Sequence, residues 1–512
     1  MKPTNINSNN RLHIIVAITT FFIITRIILI GSLSFIKSGP LSPDNNSSHR
    51  EATHWAQINI RKPIDTIYIV ANSKSPQKVD VLINKTKIKT LEINPFIQEY
   101  ILDVDTSLLK PSNILEFRQT LGKKESFNIP WQLWVIRTNS TGTSNLIFNE
   151  QDMVGFSQIT VEDNRNKDLN YLKESLFKWD AGWYYNLLEN GYQFDGNFKR
   201  QQNVGFLCFY PGMAFLLKMM TRLESTTALI VTNNLLFFLS LFLIYYISLK
   251  VIKDPYWSLL PILLLLVHPF EIFLISGYSE GCFIFFSALC LIYLYQRKYL
   301  YFALIGGILA GIRTVGIILP VLLILDYYLL EGNKLDFKNA CYCLILSIIS
   351  IWGFLAQMAY MFWVYQNPFV YMKIQNQAWI IENQTIGSYL IHNIKEICFH
   401  LDITNPDQTG FIIFYGFIVL CLYYLISCRK TFTRFENLLI LYSFFILITP
   451  LISRFYFIYS MGRYTLVAYP LFIILSKYIN RTKVLFLCSW IFMSIFLSLI
   501  YAMRFSYWHT PF

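Results

Sequence analysis

Charge is what this 512-residue sequence has least of. Asp, Glu, Lys and Arg make up 14% of it, where a soluble domain carries roughly a quarter. An ordinary soluble chain is therefore excluded. Cysteine is absent from the polar stretch 37–204, which rules out a disulfide framework there. Most of the nine cysteines, among them Cys282, Cys290, Cys341, Cys343, Cys421, Cys428 and Cys488, lie in apolar runs and read as small buried hydrophobes. No two have the CxxC spacing of a zinc or redox site, Cys341 and Cys343 being two apart. His, Asp and Glu form no cluster with metal-site spacing. No cofactor and no tightly bound metal are expected, and only a divalent cation at Asp180 stays open. A basic–aromatic cluster is also missing, so the formal net charge of +12 does not point to nucleic acid.

What the sequence has is apolar length. Hydrophobic residues make up 54% of the chain, and mean hydropathy is +0.42. Runs at 227–249, 256–275, 340–365 and 484–503 are long enough to cross a bilayer core of about 30 Å. An earlier run, 12–35, is too long for a signal-peptide core and reads as an anchor. Basic residues fall in alternate short loops: Lys250 and Lys253, Arg297 and Lys298, Lys334 and Lys338, Arg429, Lys430 and Arg434, then Lys477, Arg481 and Lys483. This is the positive-inside pattern. It requires that 203–220, short and interrupted by Pro211 and Gly212, does not cross, and that 300–312 and 315–330 are two short spans with Arg313 between them. The count is then about eleven spans.

Residues 38–165 differ. They are polar and alternate with period two: Val79, Val81 and Ile83; Tyr100, Leu102 and Val104; Leu115 and Phe117; Trp131, Leu133 and Val135. Such runs predict an antiparallel β-sandwich, with a weak likeness to jelly-roll sugar-binding modules. The organisation expected is a tail and first span at 1–37, an extracytoplasmic β-sandwich at 38–165, an outer loop at 166–222, and a multi-span α-helical domain at 223–512. Within the outer loop, Leu169, Leu172, Leu176, Trp183 and Leu187 predict an amphipathic helix over 168–190. Asp180 falls in the same stripe, where a carboxylate is costly unless partnered or working.

Three arginines break the charge rule on the outer side: Arg313, Arg454 and Arg463. An ionisable residue at such depth is a candidate functional group, and Arg suits phosphate.

Several motifs then follow in order. FKWDAGWYYNLLENGY (177–192), FYPGMAFLLK (209–218), HPFEIFLISGYSEGCF (268–283), LIGGILAGIRTVGIIL (304–319), NPFVYMKIQNQAW (367–379) and MGRYTLVAYPLF (461–472) together resemble the GPI mannosyltransferase 2 (PIG-V) family and its bacterial relatives. His268 stands where that family commonly has Asn, and Thr314-Val315 where it has Ser-Asn. The resemblance implies a GT-C glycosyltransferase, which takes a sugar from a polyprenyl-phosphate donor on the extracytoplasmic side, inverts the anomeric carbon, and uses an acidic residue of the first outer loop. Asp180 occupies that position.

The residue types supply the roles. An acceptor hydroxyl gains from a carboxylate base, and Asp180 is that candidate. A leaving phosphate needs cations where its charge develops; Arg313 and Arg463 are the candidates, with Arg454 behind them. Glu280 and Tyr278, at the outer end of a span, are candidates for contacting sugar or acceptor, and Glu280 is equally readable as a hydrogen-bonded carboxylate at a helix N-terminus. Trp179, Trp183 and Tyr184 are candidates for stacking on a sugar, or belong to the interfacial aromatic belt. His268 reads as a satisfied core histidine. The expected partners are a polyprenyl-phosphate sugar donor, a glycan or lipid acceptor, and the bilayer. A bacterial inner membrane is favoured, or the ER membrane in a eukaryote. Competing functions are a transporter or flippase of a lipid-linked sugar, and a non-catalytic sugar-binding assembly subunit.

Overall fold

In a computed structural model, residues 8–35, 50–59, 66–73, 77–84, 86–94, 98–108, 112–120, 131–140, 143–149, 156–161, 176–177, 180–198, 202–378, 394–395, 397–399, 401–428, 430–452, 461–479 and 484–506 are described. The chain divides into two compact units, Met1–Ile36 with Ser175–Phe512, and Lys37–Glu174.

Among the described residues, the second unit is built of strands, with one short helical turn at Thr106–Leu108. β1 (Arg50–Asn59), β2 (Thr66–Ser73), β3 (Gln77–Ile83), β4 (Thr86–Ile93), β5 (Gln98–Asp103), β6 (Ser112–Thr120), β7 (Trp131–Ser140), β8 (Thr143–Asn149) and β9 (Phe156–Val161) form two antiparallel sheets. Their orders are β4-β3-β6-β1-β9 and β5-β2-β7-β8. One buried cluster draws on both: Ile67, Ile69 and Leu102 from one sheet, Val79, Val81, Ile83, Leu115 and Phe117 from the other. Of the period-two residues, Val79, Val81, Ile83, Leu102, Val104, Leu115 and Phe117 face this core, as the pleat requires, and the side chains of Trp131, Leu133 and Val135 lie outside the described residues.

The first unit is helical. α1 is Ser8–Phe35, α2 Asp180–Asn190, α3 Phe209–Thr221, α4 Ser225–Ile252, α5 Leu260–Leu266, α6 Ile272–Ile275, α7 Glu280–Tyr295, α8 Tyr299–Ile312 and α9 Leu319–Ile324. Then come α10 (Phe337–Ile349), α11 (Trp352–Tyr365), α12 (Val370–Ala378), α13 (Pro406–Tyr423), α14 (Arg434–Ile452), α15 (Met461–Val467), α16 (Pro470–Tyr478) and α17 (Val484–Ser506). Among the described residues, four helices are long and apolar enough to cross a membrane, and α10 with α11, bent by 60°, makes a fifth candidate span. Shorter apolar helices include α7, α8 and the stretch 314–330.

Three expectations are corrected in detail. The helix predicted over 168–190 begins at Asp180. Just before it, the Leu176 carbonyl accepts from Gly277 N at 3.3 Å rather than from a helical amide; residues 168–175 lie outside the described residues. The run 256–275 is not one helix: α5 ends at Leu266, ahead of His268-Pro269, and α6 is a single turn. Proline lacks the amide that would continue the ladder. The run 340–365 is bent at 350–351. Glycines decide how closely α8 and α11 approach. A Cβ on Gly307 would lie 1.7 Å from the Trp352 ring, and one on Gly353 would lie 2.2 Å from the Gly307 carbonyl. This is the small-residue packing that membrane helices use.

Candidate active site

Four charged side chains from four separate stretches converge. Asp180 is the first residue of α2, where the exposed amides of the helix start favour a carboxylate. Its Oδ2 accepts from Arg463 Nη1 at 2.7 Å. Arg463 sits in α15, and Gly462 beside it lets the helix approach the segment just before α6: a Cβ there would lie 2.3 Å from the Phe270 ring. The Arg463 guanidinium lies over the rings of Tyr278 and Phe273, at 5.8 and 6.0 Å. Its Nε is 3.8 Å from Glu280 Oε1.

Glu280 opens α7 and is fully buried. Its Oε1 is paired with Arg313 Nη1, while Oε2 is a buried oxygen without a hydrogen bond among the described residues. Arg313 interrupts two apolar helical stretches: α8 ends at Ile312, Arg313 is extended (φ −147°, ψ 140°), and the next turn starts at Thr314. Its guanidinium also lies over the Tyr464 ring at 5.5 Å. The cluster holds two carboxylates and two guanidinium groups, so its formal charge balances. Buried ion pairs of this kind cost about 3–5 kcal/mol when one partner is removed.

The tyrosines fix the frame. The Asp180 amide donates to Tyr278 Oη at 3.3 Å. Tyr184 Oη lies 3.1 Å from Ser279 Oγ, and burial pushes its phenol up to about 12. Trp183 stacks on Phe206, ring centres 5.9 Å apart at 18°. The structure therefore brings together Asp180, Tyr184, Tyr278, Glu280, Arg313 and Arg463, with Trp183 alongside on α2. Trp179 and Arg454 lie outside the described residues.

His268 takes no part in the charged cluster. Its Nδ1 accepts from the Phe270 amide at 3.2 Å, which leaves the proton on Nε2, facing Thr465 Oγ1 at 3.2 Å. Thr465 in turn donates to the Gly462 carbonyl at 2.5 Å. The histidine thus braces the turn that carries Arg463. Among the described residues, no group of three or more His, Cys, Asp or Glu side chains is placed to hold a metal ion. Sequence reasoning missed Ser279, Tyr464, the buried polar residues Asn233, Arg26 and Glu271 beneath the site, and the half-buried Asn234 beside them. A polar pair inside the apolar run 227–249 was the available signal.

Partial overlaps exist with solved structures of an oligosaccharyltransferase from Archaeoglobus fulgidus. The apo form gives a TM-score of 0.34 at 12% identity, covering 66% of this chain and 53% of that one. The form tethered to an acceptor peptide with an NVT sequon gives 0.38 at 13%, covering 65% and 52%. The form complexed with an inhibitory peptide and a dolichol-phosphate gives 0.36 at 11%, covering 65% and 51%. The chain spans about half the length of these proteins. No curated protein matches it. Residues 130–383, a stretch that includes Asp180, Glu280 and Arg313, match the mannosyltransferase (PIG-V) family.

Proposed function

We propose that this chain is a membrane glycosyltransferase that moves a sugar, mannose foremost, from a polyprenyl-phosphate donor to an acceptor hydroxyl on the extracytoplasmic side, with inversion. The observation that carries the reading is the contact between Asp180 and Arg463, with Glu280 and Arg313 directly behind it. A carboxylate at the start of an amphipathic helix meets one arginine, Arg463, while a second, Arg313, pairs with the neighbouring Glu280. Helix α2 has 11 residues, about 17 Å of rise, too short to span a core of about 30 Å. It suits an outer loop, and the charge pattern places that loop outside, on a chain of about eleven spans.

The chemistry follows from these groups. Asp180 accepts the acceptor's hydroxyl proton as the oxygen attacks the anomeric carbon. The bond from that carbon to the phosphate oxygen breaks, and the lipid phosphate leaves with the electron pair. Its growing charge falls to Arg463 and Arg313, whose planar forks suit phosphate oxygens. Arg454 is a third proposed cation. Asp180 and a donor phosphate compete for Arg463, so donor binding frees the carboxylate to act as base. Tyr278, Trp183, Tyr184 and Trp179 are proposed to shape the sugar and acceptor site, with Glu280 orienting the arginines. The two sheets at 37–174 are read as an extracytoplasmic, jelly-roll-like sandwich. A bacterial inner membrane is the favoured location.

The deciding experiment uses the purified chain in lipid with polyprenyl-phosphate tritiated mannose. Loss of donor label is compared between the native chain and Asp180→Asn. Consumption by the native chain alone supports the reading. Consumption by neither, across several donor sugars and a crude lipid acceptor, moves the transporter or subunit reading ahead. Equal consumption by both removes Asp180 as the base.

A further inference from the structure

Between Leu266 and Glu280 the chain keeps only the single helical turn α6 inside an apolar bundle. Each backbone amide and carbonyl freed there needs a partner from protein, because lipid offers none. Asn233, in the body of α4 and fully buried, supplies three partners. Its Nδ2 donates to the carbonyls of Phe273 at 3.1 Å and Ser276 at 2.9 Å, at the end of α6. Its Oδ1 accepts from the Gly281 amide at 2.7 Å, in the first turn of α7. Ser279 stands at the cap position of α7 but makes no capping bond; its hydroxyl faces Tyr184 instead. One carboxamide, with both N–H groups and its oxygen engaged, closes the break at both ends.

Only glycine permits this contact at position 281. A Cβ there would lie 2.5 Å from the Asn233 carbonyl oxygen and 2.6 Å from its Oδ1. The neighbouring Asn234 extends the brace. Its Nδ2 donates to the Ile275 carbonyl at 2.6 Å, and its Oδ1 accepts from Arg26 Nε at 3.1 Å. Arg26 is itself paired with Glu271. Residues 271–281 are thus held from below by α4 and α1. What they present above is Tyr278, Ser279 and Glu280, the residues that meet Asp180, Tyr184, Arg313 and Arg463.

We propose that Asn233 is a positioning residue for this site: by capping α6 and α7 together, it sets where Glu280 meets the two arginines. The kinetic part of the proposal rests on the glycosyl-transfer reading; the geometric part does not. Asn233→Ala removes three hydrogen bonds from this turn, although the Ser276 carbonyl keeps the Tyr278 amide at 2.8 Å. The turn then relaxes, and a displacement of about 1 Å at a reacting site is worth on the order of 10²-fold in rate.

The test uses the full chain in lipid nanodiscs, with donor-label release as the readout. Native, Asn233→Ala, Glu280→Gln and the double variant are compared per folded molecule. The expected result is a fall in kcat on the order of 10²-fold for Asn233→Ala with donor KM little changed, and almost no further fall when it is added to Glu280→Gln. Multiplied effects in the double variant, or native turnover in Asn233→Ala, overturn the proposal. A second arm is independent of turnover and uses the gentler Asn233→Ser. Hydrogen exchange at 271–281 is expected to rise selectively, while Asp326→Asn, at a distant ion pair with Arg434, leaves that segment unchanged. A uniform rise, or none, overturns the capping role. If the native chain consumes no donor but exchange rises selectively, the transferase reading fails and the brace stands.

Discussion

Asp180 and Arg463 are 283 residues apart in sequence, and their side chains meet at 2.7 Å. The same guanidinium reaches towards Glu280, which Arg313 also holds. Two carboxylates and two guanidinium groups share one balanced cluster, so a change in any member is felt by the others.

Asp180→Asn keeps the shape of the side chain and removes its basicity. Loss of a general base costs about 10²–10⁴-fold in turnover. The charge facing Arg463 also disappears, so on the proposed reading a donor phosphate no longer competes with a carboxylate there. The expected outcome is a fall in kcat of that size with donor affinity equal or tighter. Single-turnover donor-label release and equilibrium binding of the labelled donor, read side by side, check both halves.

Arg463→Lys keeps the charge and loses the fork. A lysine cannot lie over Tyr278 as a guanidinium does, nor offer two parallel N–H groups to phosphate. Turnover is expected to fall at least about tenfold, the loss of one charge-assisted hydrogen bond of about 1.5–3 kcal/mol. Native kcat in Arg463→Lys would show that charge alone is needed there.

Glu280→Gln leaves the two arginines with a single carboxylate, Asp180, and that imbalance is buried. Removal of one member of a buried pair costs about 3–5 kcal/mol, which predicts a lower thermal midpoint in detergent. Adding Arg313→Gln restores the balance, so the double variant is expected to melt above Glu280→Gln alone. Additive losses in the two single variants and the double variant would show that the pair does not act as a unit.

The sequence made some of this legible and hid the rest for physical reasons. Arg313 stood out because it interrupts two apolar stretches, and the chain is extended there. Val79, Val81 and Ile83 announced a strand because alternate side chains face one core. The start of α2 was misplaced because the leucine stripe continues upstream of Asp180, and helical spacing does not reveal that the Leu176 carbonyl is taken by Gly277. Asp180 also has a second reason for its position, the helix start, which the stripe argument overlooked. The break that begins at 267 was overlooked because apolar length alone was counted, although His268, Pro269 and Glu271 interrupt the run and a proline cannot continue the ladder. Which carboxylate meets which arginine is a matter of tertiary packing over long separations, and no local pattern encodes it.

The anchoring of α2 predicts an acid-side weakness. Glu189, near its end, accepts from Lys218 Nζ at 2.8 Å and is paired with Ser225. These hydrogen bonds hold its carboxyl below the usual glutamate range. A lowered folded value means that the contact's contribution is complete above the unfolded value and is lost as pH falls through the folded one. The pair is partly exposed, with side chains at 29% and 34%, so its worth is small, about 0–1 kcal/mol. Limited proteolysis of the 191–198 segment is therefore expected to accelerate in the native chain only as pH drops below the glutamate range. Glu189→Gln should already be faster near neutrality and should lack that acid step. If both show the same step, another carboxylate holds α2 to α3, and Glu189 is a bystander.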